Sequence, residues 1–268
     1  MIINHNSQRS KSLGQNFLTD PALLDQLAEA ADVTAGDSVL EIGAGLGGLT
    51  VALAKRARAV AAVEIDAALE SPLRETLKPY PNVTLHIMDG MKLDWSAWAR
   101  EQSGPVRFVS NLPYYLTTPL LMRAFRQDPP FVGIACMVQK EVADKLLAAP
   151  GEDGYGPLAV WASVNYIPSV AMELPAAAFT PPPNVDSSFV ICDPLREPLL
   201  TPKDYAPFGR LIDAAFAARR KTLRNNLRAG FGLTGEQAEA LLDRAGLDGF
   251  VRAEDMKVGE FVRLYQQL

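Results

Sequence analysis

The stretch Val109-Ser-Asn-Leu-Pro-Tyr-Tyr closes an apolar run and is the part of this sequence best equipped for chemistry. Asn111 brings a side-chain carbonyl, and Pro113 fixes the turn so that neighbouring main-chain carbonyls face outward. An amide oxygen and a backbone carbonyl can together accept both hydrogens of an exocyclic amine, which aims the nitrogen lone pair at an electrophile. Tyr114 adds a flat face on which a base can stack. Read alone, the stretch is better explained as a strand-ending turn with a core tyrosine. It gains weight from a second stretch, Ser38-Val-Leu-Glu-Ile-Gly-Ala-Gly-Leu-Gly-Gly-Leu-Thr, which reads as strand, glycine turn and helix. Gly43, Gly45 and Gly47 let the backbone turn tightly and approach a ligand closely. Glu64 ends the next apolar run, where a carboxylate can accept both ribose hydroxyl hydrogens of an adenosine-containing cofactor. Asp89, after the third run, can accept a hydrogen from an adenine amine or act only as a turn or cap aspartate. The loop alone leaves the cofactor open, because Gly43, Gly45 and Gly48 also satisfy the dinucleotide pattern G-x-G-x-x-G.

Positioning these groups requires a particular set of elements. A helix is expected over Ala22–Ala31, capped by Asp20 before Pro21. Short apolar strands are expected at Ser38–Ile42, Ala59–Ile65, Val83–Ile87, Val106–Ser110 and Gly133–Val138, with helices between several of them. Near-continuous apolar strands alternating with helices point to a mostly parallel sheet covered on both faces, an α/β fold. Further strands are expected at Val160–Val170 and Val185–Cys192, separated by a rigid Phe179-Thr-Pro-Pro-Pro turn. The proline-rich segment from Asp193 to Pro207 marks a domain boundary. The chain is thus divided into residues 1–194 and a small all-α domain of residues 195–268, with about four helices punctuated by Gly230, Gly232, Gly246 and Gly249.

Composition narrows the function further. With 268 residues, 48% hydrophobic and 21% charged, the chain is an ordinary globular protein. No apolar run approaches the roughly 20 residues of a membrane span, and the polar N-terminus lacks the apolar core of a signal peptide. Cys136 and Cys192 form neither a zinc pattern nor a disulfide framework, which suits a reducing cytoplasm. His5 and His86 are the only histidines, so histidine-based catalysis or metal binding is hard to assemble. A net charge of −5 and a pI near 5.2 argue against nucleic acid on a global count. The charge is uneven, however: Arg210, Arg219, Arg220, Lys221, Arg224 and Arg228 face only Asp213 between Phe208 and Arg228. Residues 219–228 are expected to form one helix, with Arg220, Arg224 and Arg228 on one side. Such a run is usually a solvated face; beside a nucleic-acid site it becomes a phosphate contact. Arg9 and Lys11 add positive charge at the N-terminus.

Asn-Leu-Pro-Tyr in this context resembles the signature of the ribosomal RNA adenine N6,N6-dimethyltransferase family. The resemblance extends to Lys11-Ser-Leu-Gly-Gln-Asn-Phe-Leu, Met137-Val-Gln-Lys-Glu-Val-Ala-Asp-Lys-Leu, Tyr155-Gly, Phe179-Thr-Pro-Pro-Pro-Asn-Val-Asp-Ser and Arg219-Arg-Lys-Thr-Leu-Arg-Asn-Asn-Leu, in family order. It covers residues from about 9 to about 258 and is strongest to the bacterial KsgA branch, which acts on two adjacent adenines near the end of small-subunit rRNA. The resemblance implies a Rossmann-like class I methyltransferase fold and S-adenosylmethionine as cofactor. It implies that Asn16, Leu18, Gly43 and Gly45 meet the cofactor, that Glu64 holds its ribose and Asp89 its adenine. Asn111 would sit between cofactor and target amine, touching both, and with Leu112, Pro113 and Tyr114 would hold the target base, with Phe179 stacking on its other face. The implied reaction is in-line displacement without a metal, because the cofactor carries the hard chemistry. The basic residues Arg219, Arg220, Lys221, Arg224 and Arg228 would meet rRNA. The low net charge suggests an immature ribosomal particle rather than naked RNA as substrate, and nothing demands more than a monomer. Ala44 stands where the family often has proline, at some cost in loop rigidity. Three other readings stay in view: an Erm-type methyltransferase acting on large-subunit rRNA, a non-catalytic assembly factor on the same fold, and a nicotinamide-dependent oxidoreductase.

Overall fold

A computed structural model describes residues 16–268. Arg9 and the Lys11–Gln15 part of the N-terminal motif lie outside the described residues. The chain forms two compact units. One runs to Ala143 and takes up Ser169–Asp193; the other comprises Asp144–Pro168 and Pro194–Leu268.

The first unit opens with a short strand, β1 (Phe17–Leu18), and helix α1 (Pro21–Ala30). The Asp20 side chain accepts the Ala22 N–H at 2.9 Å and Pro21 occupies the first turn, so the expected cap forms as anticipated. Then follow β2 (Ser38–Ile42), α2 (Gly48–Ala54), β3 (Ala59–Glu64), α3 (Glu70–Leu77), β4 (Val83–Ile87), α4 (Trp95–Glu101), β5 (Val106–Asn111), α5 (Thr117–Ala124), β6 (Ile134–Gln139) and α6 (Lys140–Leu147). Neighbouring strands β4, β3, β2, β5 and β6 run parallel. β2 is buried at every position, which is why its apolar residues Val39, Leu40 and Ile42 do not alternate with polar ones. Beneath β5, Trp95, Phe108 and Phe131 form an aromatic stack, with Trp95–Phe108 centroids 5.1 Å apart and Phe108–Phe131 5.6 Å.

Helix α7 (Pro157–Asn165) leads into β7 (Tyr166–Leu174), followed by β8 (Phe179–Thr180) and β9 (Ser187–Pro194). β9 joins β6 antiparallel, and β7 completes the seven-stranded sheet β4-β3-β2-β5-β6-β9-β7. The expected strand at Val160–Val170 is therefore half wrong: residues up to Asn165 are helical. Pro157 starts that helix, and its run Leu158–Val164 is apolar on every side, so periodicity could not separate strand from helix.

The second unit holds α7 and four further helices, α8 (Pro202–Ala215), α9 (Leu223–Phe231), α10 (Gly235–Ala245) and α11 (Val258–Tyr265). Trp161 of α7 meets Tyr205 and Phe208 edge-on, at centroid distances of 5.9 and 5.3 Å. Asn165 donates to the Leu200 carbonyl at 3.0 Å and to the Tyr205 hydroxyl at 2.9 Å, and accepts the Leu200 N–H at 3.1 Å. These contacts explain why a single cut at residue 194 does not separate the units: 144–168 belongs with the C-terminal helices.

A second correction concerns the basic run. Arg219, Arg220 and Lys221 lie in a turn, and α9 starts only at Leu223, after Thr222 in the extended conformation of an N-cap. Arg224 and Arg228 share a helix; Arg220 does not join their line. No helix among the described residues is long and apolar enough to cross a membrane.

Candidate active site

Strand order reverses between β2 and β5, and open α/β sheets bind ligands at the carboxyl ends of strands beside such a reversal. Gly43 follows β2, Asn111 ends β5, and Glu64 ends β3, so the sheet itself brings the separate sequence stretches together. A cleft at this point is lined by Asn16, Leu18, Glu41, Gly43, Gly45, Glu64, Asp89, Asn111, Leu112, Pro113 and Tyr114 among others. All the expected cofactor residues meet there.

The glycine turn takes the shape the cleft requires. Gly43 and Gly45 have φ of +89° and +59°, and a Cβ on Gly45 would come within 3.0 Å of the Phe17 ring. The Glu64 carboxylate, 3% exposed, is fixed by two main-chain donors: Gly45 N–H to Oε2 and Asp66 N–H to Oε1, each at 2.8 Å. Each oxygen keeps a second lone pair for a diol. Asp89 uses Oδ1 to accept the Met91 N–H at 2.9 Å, so the plain turn role weighed from sequence is real and coexists with a place on the cleft wall.

The loop carrying Asp89 is braced from below. Arg123 of α5 donates to the carbonyls of Gly90 at 3.3 Å, Met91 at 2.7 Å and Leu93 at 2.6 Å, while its guanidinium lies 4.2 Å above the Trp95 ring. Burial lowers the pKa of this group, and the charges of Asp94 and Asp89 oppose that shift. Sequence reasoning did not single out Arg123.

At the end of β5, the Asn111 side-chain nitrogen points to the Asn16 carbonyl at 3.4 Å, which leaves its oxygen as the acceptor for a ligand. The Pro113 carbonyl is engaged by Leu116 N–H at 3.0 Å and the Thr117 hydroxyl at 3.2 Å. The Leu112 carbonyl accepts no hydrogen bond among the described residues, which leaves a main-chain acceptor open beside Asn111. The Tyr114 hydroxyl shares a 2.8 Å hydrogen bond with Ser187 at the start of β9, which sets the ring's orientation. Burial pushes the Tyr114 phenol up, against the pull of that hydrogen bond, so it stays neutral at physiological pH.

Phe179 is placed differently from expectation. β8 pairs with β1, setting Phe179 opposite Leu18, and its ring is 2% exposed within the apolar core. It is not among the residues that line the cleft.

Glu41 was missed. It is 1% exposed on the cleft wall and accepts the Thr50 hydroxyl at 2.6 Å. Burial, with the neighbouring Glu64 charge adding to it and the Thr50 hydrogen bond opposing it, pushes its pKa up to about 8. The signal was an acidic residue inside an apolar buried strand, a costly position for a charge. A carboxyl with a raised folded pKa makes stability fall as pH rises from the ordinary carboxylate range to about 8. The ligand-free Glu41→Gln protein is expected to melt several degrees above wild type at pH 8, at roughly 2–4 °C per kcal/mol. The difference should shrink toward pH 5; a difference independent of pH in calorimetry would refute the assignment.

Similarity to known proteins agrees with this geometry. A family model described as ribosomal RNA adenine dimethylase matches residues 6–268. A protein of Lactiplantibacillus plantarum named ribosomal RNA small subunit methyltransferase A is 43% identical over 97% of this chain and 90% of its own length. Among solved structures, a dimethyladenosine transferase from Plasmodium falciparum is similar with a TM-score of 0.78, at 24% identity over 92% of this chain and 95% of that one. The 23S rRNA methyltransferase ErmE is similar with a TM-score of 0.69, at 27% identity over 94% of this chain and 99% of that one.

Proposed function

The chain belongs to the ribosomal RNA adenine dimethylase family, and from that premise we propose that it methylates the exocyclic amines of two adjacent adenosines near the 3′ end of small-subunit rRNA, drawing the methyl groups from S-adenosylmethionine. The observation that carries the reading is the pairing of the Asn111 amide oxygen with the Leu112 carbonyl, opposite a glycine turn and in one cleft with Glu64. High identity to a small-subunit methyltransferase favours this substrate over the large-subunit RNA of ErmE.

The cleft suits the cofactor on its own chemistry. The fixed Glu64 carboxylate fits a ribose diol and Asp89 an adenine amine, while Gly43 and Gly45 let the ligand approach the backbone. Bound there, S-adenosylmethionine supplies an electrophilic methyl on its sulfonium. Asn111 and the Leu112 carbonyl accept the two N–H bonds of the target amine. That orients the lone pair and stabilises the positive charge growing on nitrogen. Tyr114 offers its face to the extruded base, and Ser187 holds that face in place. Arg220, Lys221, Arg224 and Arg228 serve as phosphate contacts, and the protein acts as a cytoplasmic monomer on an immature particle.

Arg123 acts here as a positioning residue for the loop that carries Asp89. Arg123→Met, which keeps length and apolar bulk but no donors, is expected to raise the KM for S-adenosylmethionine about tenfold, the effect of a few net hydrogen bonds. The turnover number should stay within about twofold, since no reacting atom is touched. A fall confined to turnover would sink that role.

The substrate reading is tested by incubating the protein with labelled S-adenosylmethionine and unmethylated small subunits, then mapping the label. Dimethyladenosine at two adjacent adenines near the 3′ end supports it. Label restricted to large-subunit rRNA would move the chain to the Erm-type reading.

A further inference from the structure

In the second unit, Phe250 stands in solvent at 85% exposure, the most exposed of the large apolar side chains among the described residues. Its position is built by the turn that carries it. Phe250 N–H donates to Asp248 Oδ1 at 2.7 Å, and Val251 N–H donates to the Asp248 carbonyl at 3.2 Å, so the ring sits at the tip of a closed turn. The turn is fastened to the start of α9 by the Leu223 N–H, which donates to the Val251 carbonyl at 2.8 Å. This fastening places Phe250 next to the basic turn. Standard backbone spacing keeps the Phe250 and Lys221 Cα atoms within about 17 Å of each other.

The cations of that turn are not equivalent. Arg219 is held by Glu254 at 3.4 Å and Asp153 at 3.9 Å, and Arg224 by Glu239 at 3.1 Å. Arg220 and Lys221 are exposed and make no ion pair among the described residues. A bare ring forgoes the free energy that burial would provide, so a partner that covers it recovers that term. Next to two unpaired cations, the chemistry that fits is a single nucleic-acid strand, with one base against the ring and phosphates against the cations. Resting on the rRNA reading above, we propose that Phe250 stacks on an unpaired rRNA base outside the active site, with Arg220 and Lys221 on the flanking phosphates.

Wild type, Phe250→Ala and Phe250→Trp are compared for affinity to immature small subunits over a range of salt concentrations. Melting temperature and dimethyladenosine formation at saturating particle concentration are read in parallel. Phe250→Ala is expected to bind about tenfold more weakly, as loss of one stacked base predicts, and to melt like wild type. Its affinity should keep the wild-type slope against log salt, because no phosphate contact is removed, and it should still methylate at saturation. Phe250→Trp should bind within about twofold of wild type, since indole stacks as well as phenyl. Unchanged affinity of Phe250→Ala, or an equal loss in Phe250→Trp, overturns the contact. A p-benzoylphenylalanine placed at position 250 should cross-link to rRNA; cross-linking to a ribosomal protein instead overturns it too. Failure of the wild-type protein to bind or methylate the particles would bring down the rRNA reading itself, and this contact with it.

Discussion

Asn111→Ala should lower methyl transfer to small-subunit rRNA by about 10²–10³-fold, the size of effect seen when one preorganised polar group is removed from a site of developing charge. The side chain ends β5 beside the strand reversal, and its nitrogen is turned to the Asn16 carbonyl, so its oxygen is the atom that the proposed mechanism assigns to the amine. Removing it leaves the Leu112 carbonyl to orient the base alone, and one N–H of the amine loses its acceptor. Affinity for S-adenosylhomocysteine should change by less than about fivefold, because Glu64 and Asp89, the proposed ribose and adenine partners, lie on β3 and the loop after β4. Single-turnover kinetics with calorimetric binding separates the two quantities. A variant that methylates at the wild-type rate would remove Asn111 from the chemistry, and one that loses cofactor binding entirely would recast it as a binding residue.

Glu64→Ala is expected to weaken S-adenosylhomocysteine binding by at least about 100-fold. Hydrogen bonds to a charged group are worth roughly 1.5–3 kcal/mol each, and this carboxylate is positioned to accept from a diol with both oxygens. Its loss also strips the Gly45 and Asp66 N–H groups of their partner, so the glycine turn loosens where it must approach the ligand. The melting temperature of the variant should respond little to ligand at concentrations that stabilise wild type by several degrees. Wild-type affinity in titration calorimetry would show that the ribose is held elsewhere.

The parts of the molecule legible in the sequence were those where local pattern and tertiary role coincide. β2 and β4 begin and end where the apolar runs do, and Asp20 with Pro21 announces α1. Glycine turn, Glu64 and Asn111 were legible as a group because strand ends are marked locally and an α/β sheet gathers them at one edge. α7 was not legible, since a helix buried on all sides has no polar face to reveal its period. The basic turn was misjudged for a different reason: charges were read by spacing, while Thr222, a residue type suited to starting a helix, was passed over. Ser187 stands in the sequence only as the last residue of the Phe179–Ser187 motif, with nothing to mark its partner, and Arg123 carries no local signal at all. Each matters through a partner that folding brings alongside, Tyr114 in one case and the Gly90–Leu93 carbonyls in the other. Phe179 shows the converse, an aromatic whose role was inferred from resemblance and whose ring is occupied by the core.

Residues 144–168 belong to the helical unit although they precede the last strands of the sheet, so the backbone passes between the units after 143, after 168 and after 193. A recombination event that exchanges the chain's end at residue 194 would therefore deliver four helices without the one carrying Trp161 and Asn165, their apolar and polar partners. Grafting the tail alone between relatives should give insoluble chimaeras, whereas a transplant of both segments together should fold. In this architecture the helical unit is a two-piece insert in the chain, so it can move intact only when both pieces move together.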